Sequence, residues 1–231
     1  MKKTFVALAL AAAALIPFGS AQAALISFTD SIDKQRTDWD EEVSLKKFDT
    51  RLGTLNSIRF DLSGFVEGTG RAENLGAKPT TVTLGLGSLL ELMRPDGSVL
   101  VVSNPLFSRN LTLGAFDGLD DMLGTSSGTT GLVTSSASEF FISSNASDFA
   151  LFSGKGGGNI DLLLVASGKS STSSSGNIET KFTTFAGGTA TVTYDYTPFV
   201  VEVPEPATLA TMIAGLGLIG AARRRARSKA Q

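Results

Sequence analysis

The 231-residue chain contains neither cysteine nor histidine. No disulfide can therefore stabilise the fold, which has to depend on its core and its backbone hydrogen bonds. The two absences also exclude Ser-His and Cys-His nucleophile pairs, histidine acid-base chemistry, zinc sites with nitrogen or sulfur ligands, and iron-sulfur clusters. We expect no cofactor and no resident metal, and we predict that the protein is not an enzyme.

The first 23 residues have the pattern of a secretory signal peptide. Two lysines precede an apolar stretch over residues 5–16, and Ala21 and Ala23 supply a small-x-small cleavage pattern. We expect signal peptidase to cut after Ala23, so that the mature protein begins at Ala24.

The last 28 residues have the order of a sorting signal. The triplet Pro204, Glu205 and Pro206 precedes an uncharged run over residues 207–222. As a helix that run spans about 24 Å, short of the roughly 30 Å membrane core, so it predicts a marginal transmembrane helix. Its cationic end, which we expect in the cytoplasm, consists of Arg223, Arg224, Arg225, Arg227 and Lys229.

This tail resembles the PEP-CTERM sorting signal of exported proteins in Gram-negative bacteria, because triplet, apolar helix and Arg-rich end follow in the same order. The resemblance implies that the tail is held transiently in the inner membrane and recognised there by an exosortase, which cuts near the triplet. Pro204, Glu205 and Pro206 are then recognition residues for another enzyme and have no catalytic role in this chain.

Without the two ends, the remaining region is acidic. Residues 24–203 keep 13 of the 20 Lys and Arg and 21 of the 22 Asp and Glu, a net charge of −8. Because phosphate binding needs clustered cations, this charge argues against nucleic acid as a partner. We expect an exported domain whose final location is the cell surface or the extracellular space.

Residues 24–203 show a hydrophobic period of two, which indicates strands. Residues 58–62 alternate apolar and charged side chains, and the Arg94–Gly97 segment predicts a tight turn between strands on either side. We predict an all-β fold, an antiparallel β-sandwich of jelly-roll-like type. Three Ser-, Thr- and Gly-rich segments are predicted to be loops: residues 125–138, 154–158 and 167–176.

The segment Phe48–Leu55 resembles the opening of the choice-of-anchor E domain of exported bacterial proteins. The Thr- and Tyr-rich segment 192–198 stands directly before the sorting tail, as it does in that family. Thr50 is a departure, since many relatives have proline at that place. The resemblance covers residues 25–198 and implies a β-rich exported domain without an assigned activity.

Three candidate sites remain open. The acidic segments Asp38–Glu42 and Asp117–Asp121 offer oxygen ligands suited to Ca²⁺, although both also fit ordinary acidic turns. Any pair among the 21 carboxylates is a conceivable glycosidase acid and nucleophile. Lys155–Gly158 lacks the strand-loop-helix context of a phosphate-binding loop and is interpreted as a flexible loop.

From these observations we predict an exported structural or adhesive protein of the cell surface or the exopolysaccharide matrix. The alternatives are a carbohydrate-binding module of that matrix and, third, a glycoside hydrolase that uses carboxylates alone. The expected partners are signal peptidase, exosortase, the inner membrane and exopolysaccharide. The expected domains are residues 1–23, 24–203 and 204–231.

Overall fold

The computed structural model describes residues 23–199, 214–217 and 219. Residues 23–199 consist mostly of antiparallel strands and contain one helix of two turns. The all-β class predicted from the period-two pattern is confirmed. In chain order the elements are β1 (Ala24–Arg36), β2 (Trp39–Lys46), β3 (Phe48–Asp49), β4 (Gly53–Asn74), β5 (Thr80–Met93), β6 (Val99–Ser103), β7 (Leu106–Leu113), β8 (Ser127–Thr129), β9 (Val133–Ser143), α1 (Ala146–Phe152), β10 (Ser153–Gly154), β11 (Asn159–Gly168), β12 (Ser171–Ser174) and β13 (Ile178–Pro198).

Two sheets form the sandwich. In the first sheet, β13 lies between β1 and β4. The other side of β4 pairs with β9 along one part of its length and with β8 along another. In the second sheet, β11 lies between β2 and β5. One side of β5 pairs with β11 and then with β12, and the other side pairs with β6 and β7. When consecutive short strands are joined, each sheet has four strands, in the order of a jelly roll.

The core lies between the sheets and is filled by alternate residues of the long strands. On β4, Ile58, Phe60 and Leu62 are fully buried, and the residues between them are half-buried. Leu90 and Leu92 of β5 belong to the same cluster. This alternation is the pattern expected of strands that bury one face.

Two glycines allow the sheets to close around Leu90. A β-carbon on Gly64 would lie 2.8 Å from Leu90 Cδ1, and one on Gly188 would lie 2.9 Å from Leu90 Cδ2. Leu90 is fully buried and has little room to move. Glycine is therefore required here by close approach and not by backbone conformation.

The turn predicted at Arg94–Gly97 is confirmed. It joins β5 to β6, with Gly97 at φ +82° and the Gly97 N–H donating to Arg94 O at 2.9 Å. The Asp96 carboxylate accepts from both the N–H and the hydroxyl of Ser98, at 2.9 and 2.7 Å. These bonds lower the pKa of Asp96.

Two of the three segments predicted to be loops are mostly strand, so the prediction was wrong for these two. Residues 125–138 contribute β8 and most of β9, and residues 167–176 contribute β12. Each of these strands is an outer strand whose backbone pairs with a central strand, β4 or β5. Ser and Thr side chains suit that place because most of them face solvent there.

A buried ion pair attaches α1 to the β5–β6 hairpin. Arg94 Nε and Nη2 donate to the two oxygens of Asp148 at 2.8 and 3.0 Å, and the Ser143 hydroxyl adds a bond of 2.5 Å. Asp148 is 3% exposed. The hydrogen bond from Arg94 lowers the pKa of Asp148 and keeps the carboxylate ionised.

Candidate functional site

A cavity of about 190 Å³ lies at the end of the sandwich where β1 begins and β2 ends. We call it the Lys46 cavity. It is lined by Ile26, Phe28, Lys46, Lys47, Phe48, Asp49, Leu52, Gly156, Gly157 and Gly158. Its residues come from β1, β2, β3, the segments on either side of β3, and the glycine loop, residues 154–158.

The floor of the Lys46 cavity is apolar and firmly supported. Ile26 and Phe28 are half-buried alternate residues of β1, and Phe48 is 1% exposed. The Phe48 ring packs against Tyr194 and Tyr196, with ring centroids 5.7 and 5.0 Å apart. The apolar surface is therefore part of the core and is already formed before any ligand binds.

Tyr194 fixes the backbone beside this floor. It is fully buried, and its hydroxyl donates to Lys46 O at 2.8 Å. Burial raises the pKa of Tyr194, so the hydroxyl stays protonated at neutral pH. The strand end that carries Lys46 is thus held by a bond to the centre of the opposite sheet.

The glycine loop forms one wall and is tied to β3. Asp49 accepts from Gly156 N at 2.8 Å, while Arg51 donates to both Asp49 oxygens at 2.7 to 3.0 Å. The Arg51 hydrogen bonds lower the pKa of Asp49 well below its usual range. β3 and β10 also pair in parallel, and Lys47 N donates to Gly158 O at 2.9 Å.

The expectation of a flexible loop at Lys155–Gly158 therefore needs correction, because these bonds hold it in one place. Gly156, Gly157 and Gly158 have φ values of +89°, +75° and +105°, a region that other residues rarely adopt. A strand follows the loop, as the sequence indicated, so it does not have the geometry of a phosphate-binding loop.

Two lysines, Lys46 and Lys47, are among the residues that line the Lys46 cavity. Lys46 Nζ lies 5.8 Å from the centroid of the Phe28 ring. Within residues 23–199, neither Lys46 nor Lys47 forms an ion pair, and Asp49 is already paired with Arg51. An apolar floor beside two cations suits a ligand that combines an apolar face with a negative charge.

The acidic segment Asp38–Glu42 consists of a bend at Asp38 and the beginning of β2. Trp39 is 9% exposed and belongs to the core, as its apolar ring favours. Asp38 accepts from Gly168 N at 2.6 Å, whereas Asp40, Glu41 and Glu42 are exposed along β2. Across the described part of the chain, no three Asp or Glu side chains converge in a way that would hold a metal ion.

The segment Asp117–Asp121 forms two turns. Asp117 and Asp121 each accept from the backbone N–H two residues further on, at 3.1 and 2.9 Å. Asp120 lies against Glu179, and its charge raises the pKa of Glu179. The buried Glu73, which pairs with Glu179 across the strands, adds to this repulsion.

The sequence reasoning missed the Lys46 cavity. Lys46 and Lys47 are the only adjacent cations between residues 24 and 203, and they directly precede Phe48. That doublet was the one available signal. The rest of the site comes from β1 and the glycine loop, which are more than 100 residues apart in the chain.

Most of the predicted processing residues lie outside the described residues: Ala21, Pro204, Glu205, Pro206, Arg223, Arg224, Arg225 and Arg227. Ala23 directly precedes β1, and Ala24 is the first residue of β1, where it pairs with Tyr196. Residues 214–217 and 219 are helical. Among the described helices, none is both long enough and apolar enough to cross a membrane.

Comparison with protein families identifies the C-terminal segment. The family model described as a PEP-CTERM protein-sorting motif matches residues 202–226. This range contains the Pro-Glu-Pro triplet, the apolar run and three of the arginines. The motif indicates an exported, membrane-transiting protein that is processed by an exosortase.

No curated protein matches the chain. Among solved structures, the chain is similar to a chain in the structure of the infectious bursal disease virus Gx strain. The sequence identity is 15%, over 89% of this chain and 52% of the viral chain. For the T13 particle of the same virus the identity is 13%, over 94% of this chain and 51% of the viral chain. The chain thus spans about half the length of these viral chains, and the TM-scores of 0.13 and 0.15 support no argument.

Proposed function

We propose that this protein is a non-enzymatic structural or adhesive component of the cell surface or of the extracellular polysaccharide matrix. The observation that carries the proposal is the order of parts along the chain. The last strand of the sandwich ends at Pro198, and the sorting motif begins at residue 202. The sandwich is therefore the part that the sorting motif delivers.

The composition of the sandwich suits a protein that functions outside the cell. It has no cysteine and does not depend on an oxidising compartment or a reductant for its fold. The net charge of −8 over residues 24–203 favours solubility and opposes non-specific association with other acidic polymers. The proposed likeness to the choice-of-anchor E domain over residues 25–198 belongs to the same proposal.

The route has three steps. Signal peptidase exposes Ala24, the apolar segment 207–222 holds the chain in the inner membrane, and exosortase cuts near Glu205. The product reaches the surface or the polysaccharide matrix. Exosortase and signal peptidase are processing enzymes in this route and do not remain bound.

A replacement strain tests the structural or adhesive role. In the native host, residues 24–198 are exchanged for an unrelated soluble β-sandwich while the signal peptide and the tail are kept. We expect both proteins to reach the surface fraction, and we expect only the natural domain to maintain cell aggregation or matrix cohesion. Unchanged cohesion in the replacement strain would count against a structural or adhesive role.

A carbohydrate-binding module is the second candidate, and the Lys46 cavity favours it. Sugar sites commonly combine an apolar or aromatic surface with a few fixed polar groups, and this cavity has both. A glycan array separates the two candidates. Saturable binding supports the module, whereas a purely structural matrix protein shows none.

A further inference from the structure

We propose that the Lys46 cavity binds a single acidic sugar, a hexuronate unit within an otherwise neutral exopolysaccharide. This inference rests on the second candidate function, carbohydrate binding, and names its ligand class. It is carried by a cavity of about 190 Å³ that is lined by two lysines and an apolar floor, with Lys46 Nζ 5.8 Å from the centroid of the Phe28 ring.

The charge of the cavity selects an anion. Lys46 and Lys47 both line it, and no carboxylate in residues 23–199 pairs with either. Asp49, the one acid in the lining, is held by Arg51 and by Gly156 N. A neutral ligand would form no charge-assisted bond with the lysines, whereas a carboxylate beside the Phe28 ring forms such a bond with the Lys46 ammonium group.

The floor of the cavity selects a ring with an apolar face. Ile26, Phe28 and Leu52 present carbon surface, and Leu52 is 41% exposed. The C–H face of a pyranose ring packs favourably on such a surface. A free inorganic anion would leave this surface unused.

The wall of the cavity suits the hydroxyl groups of a sugar. Asp49 is ionised and accepts hydrogen bonds, and the backbone of Gly157 and Gly158 borders the space. Because Asp49 fixes the loop, the wall is formed in advance and little ordering is needed on binding.

The charge of the whole domain restricts the polymer. With a net charge of −8, the region 24–203 repels a polyanion at long range. Isolated uronate units among neutral sugars avoid that repulsion and still provide one carboxylate for the two lysines. Polymers of uronate alone are therefore poorer ligands than mixed polymers.

The test compares two oligosaccharides that differ in one group. A glucuronate-containing oligosaccharide and its carboxyl-reduced counterpart are titrated into the full chain, purified in mild detergent, by calorimetry at low and at moderate salt. We expect the acidic form to bind at least about tenfold more tightly, since hydrogen bonds to charged groups contribute more than neutral ones. We also expect this advantage to decrease as salt rises.

Variants locate the binding. Lys46→Gln and Lys47→Gln should each weaken binding of the acidic form about tenfold, Lys46→Arg should retain most of it, and Phe28→Leu should weaken both oligosaccharides. Lys78→Gln is the matched control, because Lys78 is exposed in the β4–β5 loop and does not line the cavity. A thermal melt of each variant shows that it is folded.

Each remaining outcome is decisive. Equal binding of the two oligosaccharides overturns the acidic-sugar proposal and leaves carbohydrate binding in place, whereas binding of neither overturns both. If Lys46→Gln and Lys47→Gln both bind the acidic oligosaccharide as tightly as the natural protein does, the site lies elsewhere and the proposal is overturned. If inorganic phosphate binds the site as tightly as the acidic oligosaccharide does, the cavity is a simple anion site and the acidic-sugar proposal is overturned too.

Discussion

At the scale of single residues, the ion pair between Arg94 and Asp148 is the most buried of the ion pairs in the described residues, with side-chain exposures of 17% and 4%. Asp148→Ala should lower the free energy of unfolding by about 3–5 kcal/mol, because Arg94 would stay buried without its partner. Asp61→Ala is the control. It breaks the pair with Arg59, whose exposures are 42% and 36%, and should cost about 1 kcal/mol or less.

Urea denaturation at pH 7 measures both variants. Because Arg94 lowers the pKa of Asp148, the stabilisation is complete above the ordinary range of aspartate pKa values and is lost as the pH falls through the folded-state value. The deficit of Asp148→Ala should therefore shrink in strong acid. Equal losses for Asp148→Ala and Asp61→Ala would contradict the role assigned to burial.

The pH dependence of stability that we expect from Glu179 has the opposite sign. Asp120 raises its pKa, so the folded state binds a proton more readily than the unfolded chain. Stability then decreases as the pH rises from about 4.5 toward neutral. Glu179→Gln should melt at a higher temperature than the natural protein at pH 7, with the difference gone near pH 4, as followed by circular dichroism. A lower melting temperature at pH 7 would mean that the two carboxylates do not repel.

At the scale of elements, the close approach of the two sheets depends on glycine. Gly64→Ala should cost about 1–3 kcal/mol because its β-carbon meets Leu90 from the opposite sheet. Ser63→Ala is the matched control one residue away, since Ser63 is exposed on the outer face of β4. If denaturation shows the two variants to be equally stable, the sheets are less tightly packed around Leu90 than the structure indicates.

The elements also show what the sequence could and could not predict. Residues 58–62 and the Arg94–Gly97 turn were predicted because strand alternation and turn chemistry are local properties. β8, β9 and β12 were missed because Ser, Thr and Gly give no hydrophobic period. Those strands form through pairing with β4 and β5, a non-local interaction that composition does not reveal.

The same reason explains the missed cavity. The acidic segments were singled out because adjacent carboxylates are conspicuous in a sequence, and in the structure they form turns and an exposed strand. The Lys46 cavity joins Phe28, Lys46 and the glycine loop, which only the folded jelly roll brings together. Only the Lys46–Lys47 doublet could have been noticed beforehand.

At the scale of the whole molecule, residues 24–203 should fold without either end. The sandwich has its own core and closes both sheets within residues 24–198. We expect a far-ultraviolet spectrum dominated by strand and a cooperative melt. A helical spectrum, or a chain that stays unfolded alone, would show that the sandwich needs a partner.

Calcium should not be required for that fold. Asp117 and Asp121 already complete hydrogen-bonded turns, and no three acidic side chains in the described residues converge on one point. Replacing chelator with millimolar Ca²⁺ should change the melting temperature by less than about 10 °C. A larger rise would reveal a strong calcium site through ligand linkage.

Export and cleavage are the central claim, and intact mass spectrometry of the protein in its native host tests them most directly. Because the Pro-Glu-Pro triplet is the expected recognition element of the sorting motif, Glu205→Ala should block recognition and leave an uncut, membrane-bound form. Removing Arg223, Arg224 and Arg225 should instead disturb membrane orientation. The account predicts a surface protein that begins at Ala24 and lacks residues 207–231. A surface protein that still carries residues 207–231, in a strain with a working exosortase, would contradict it.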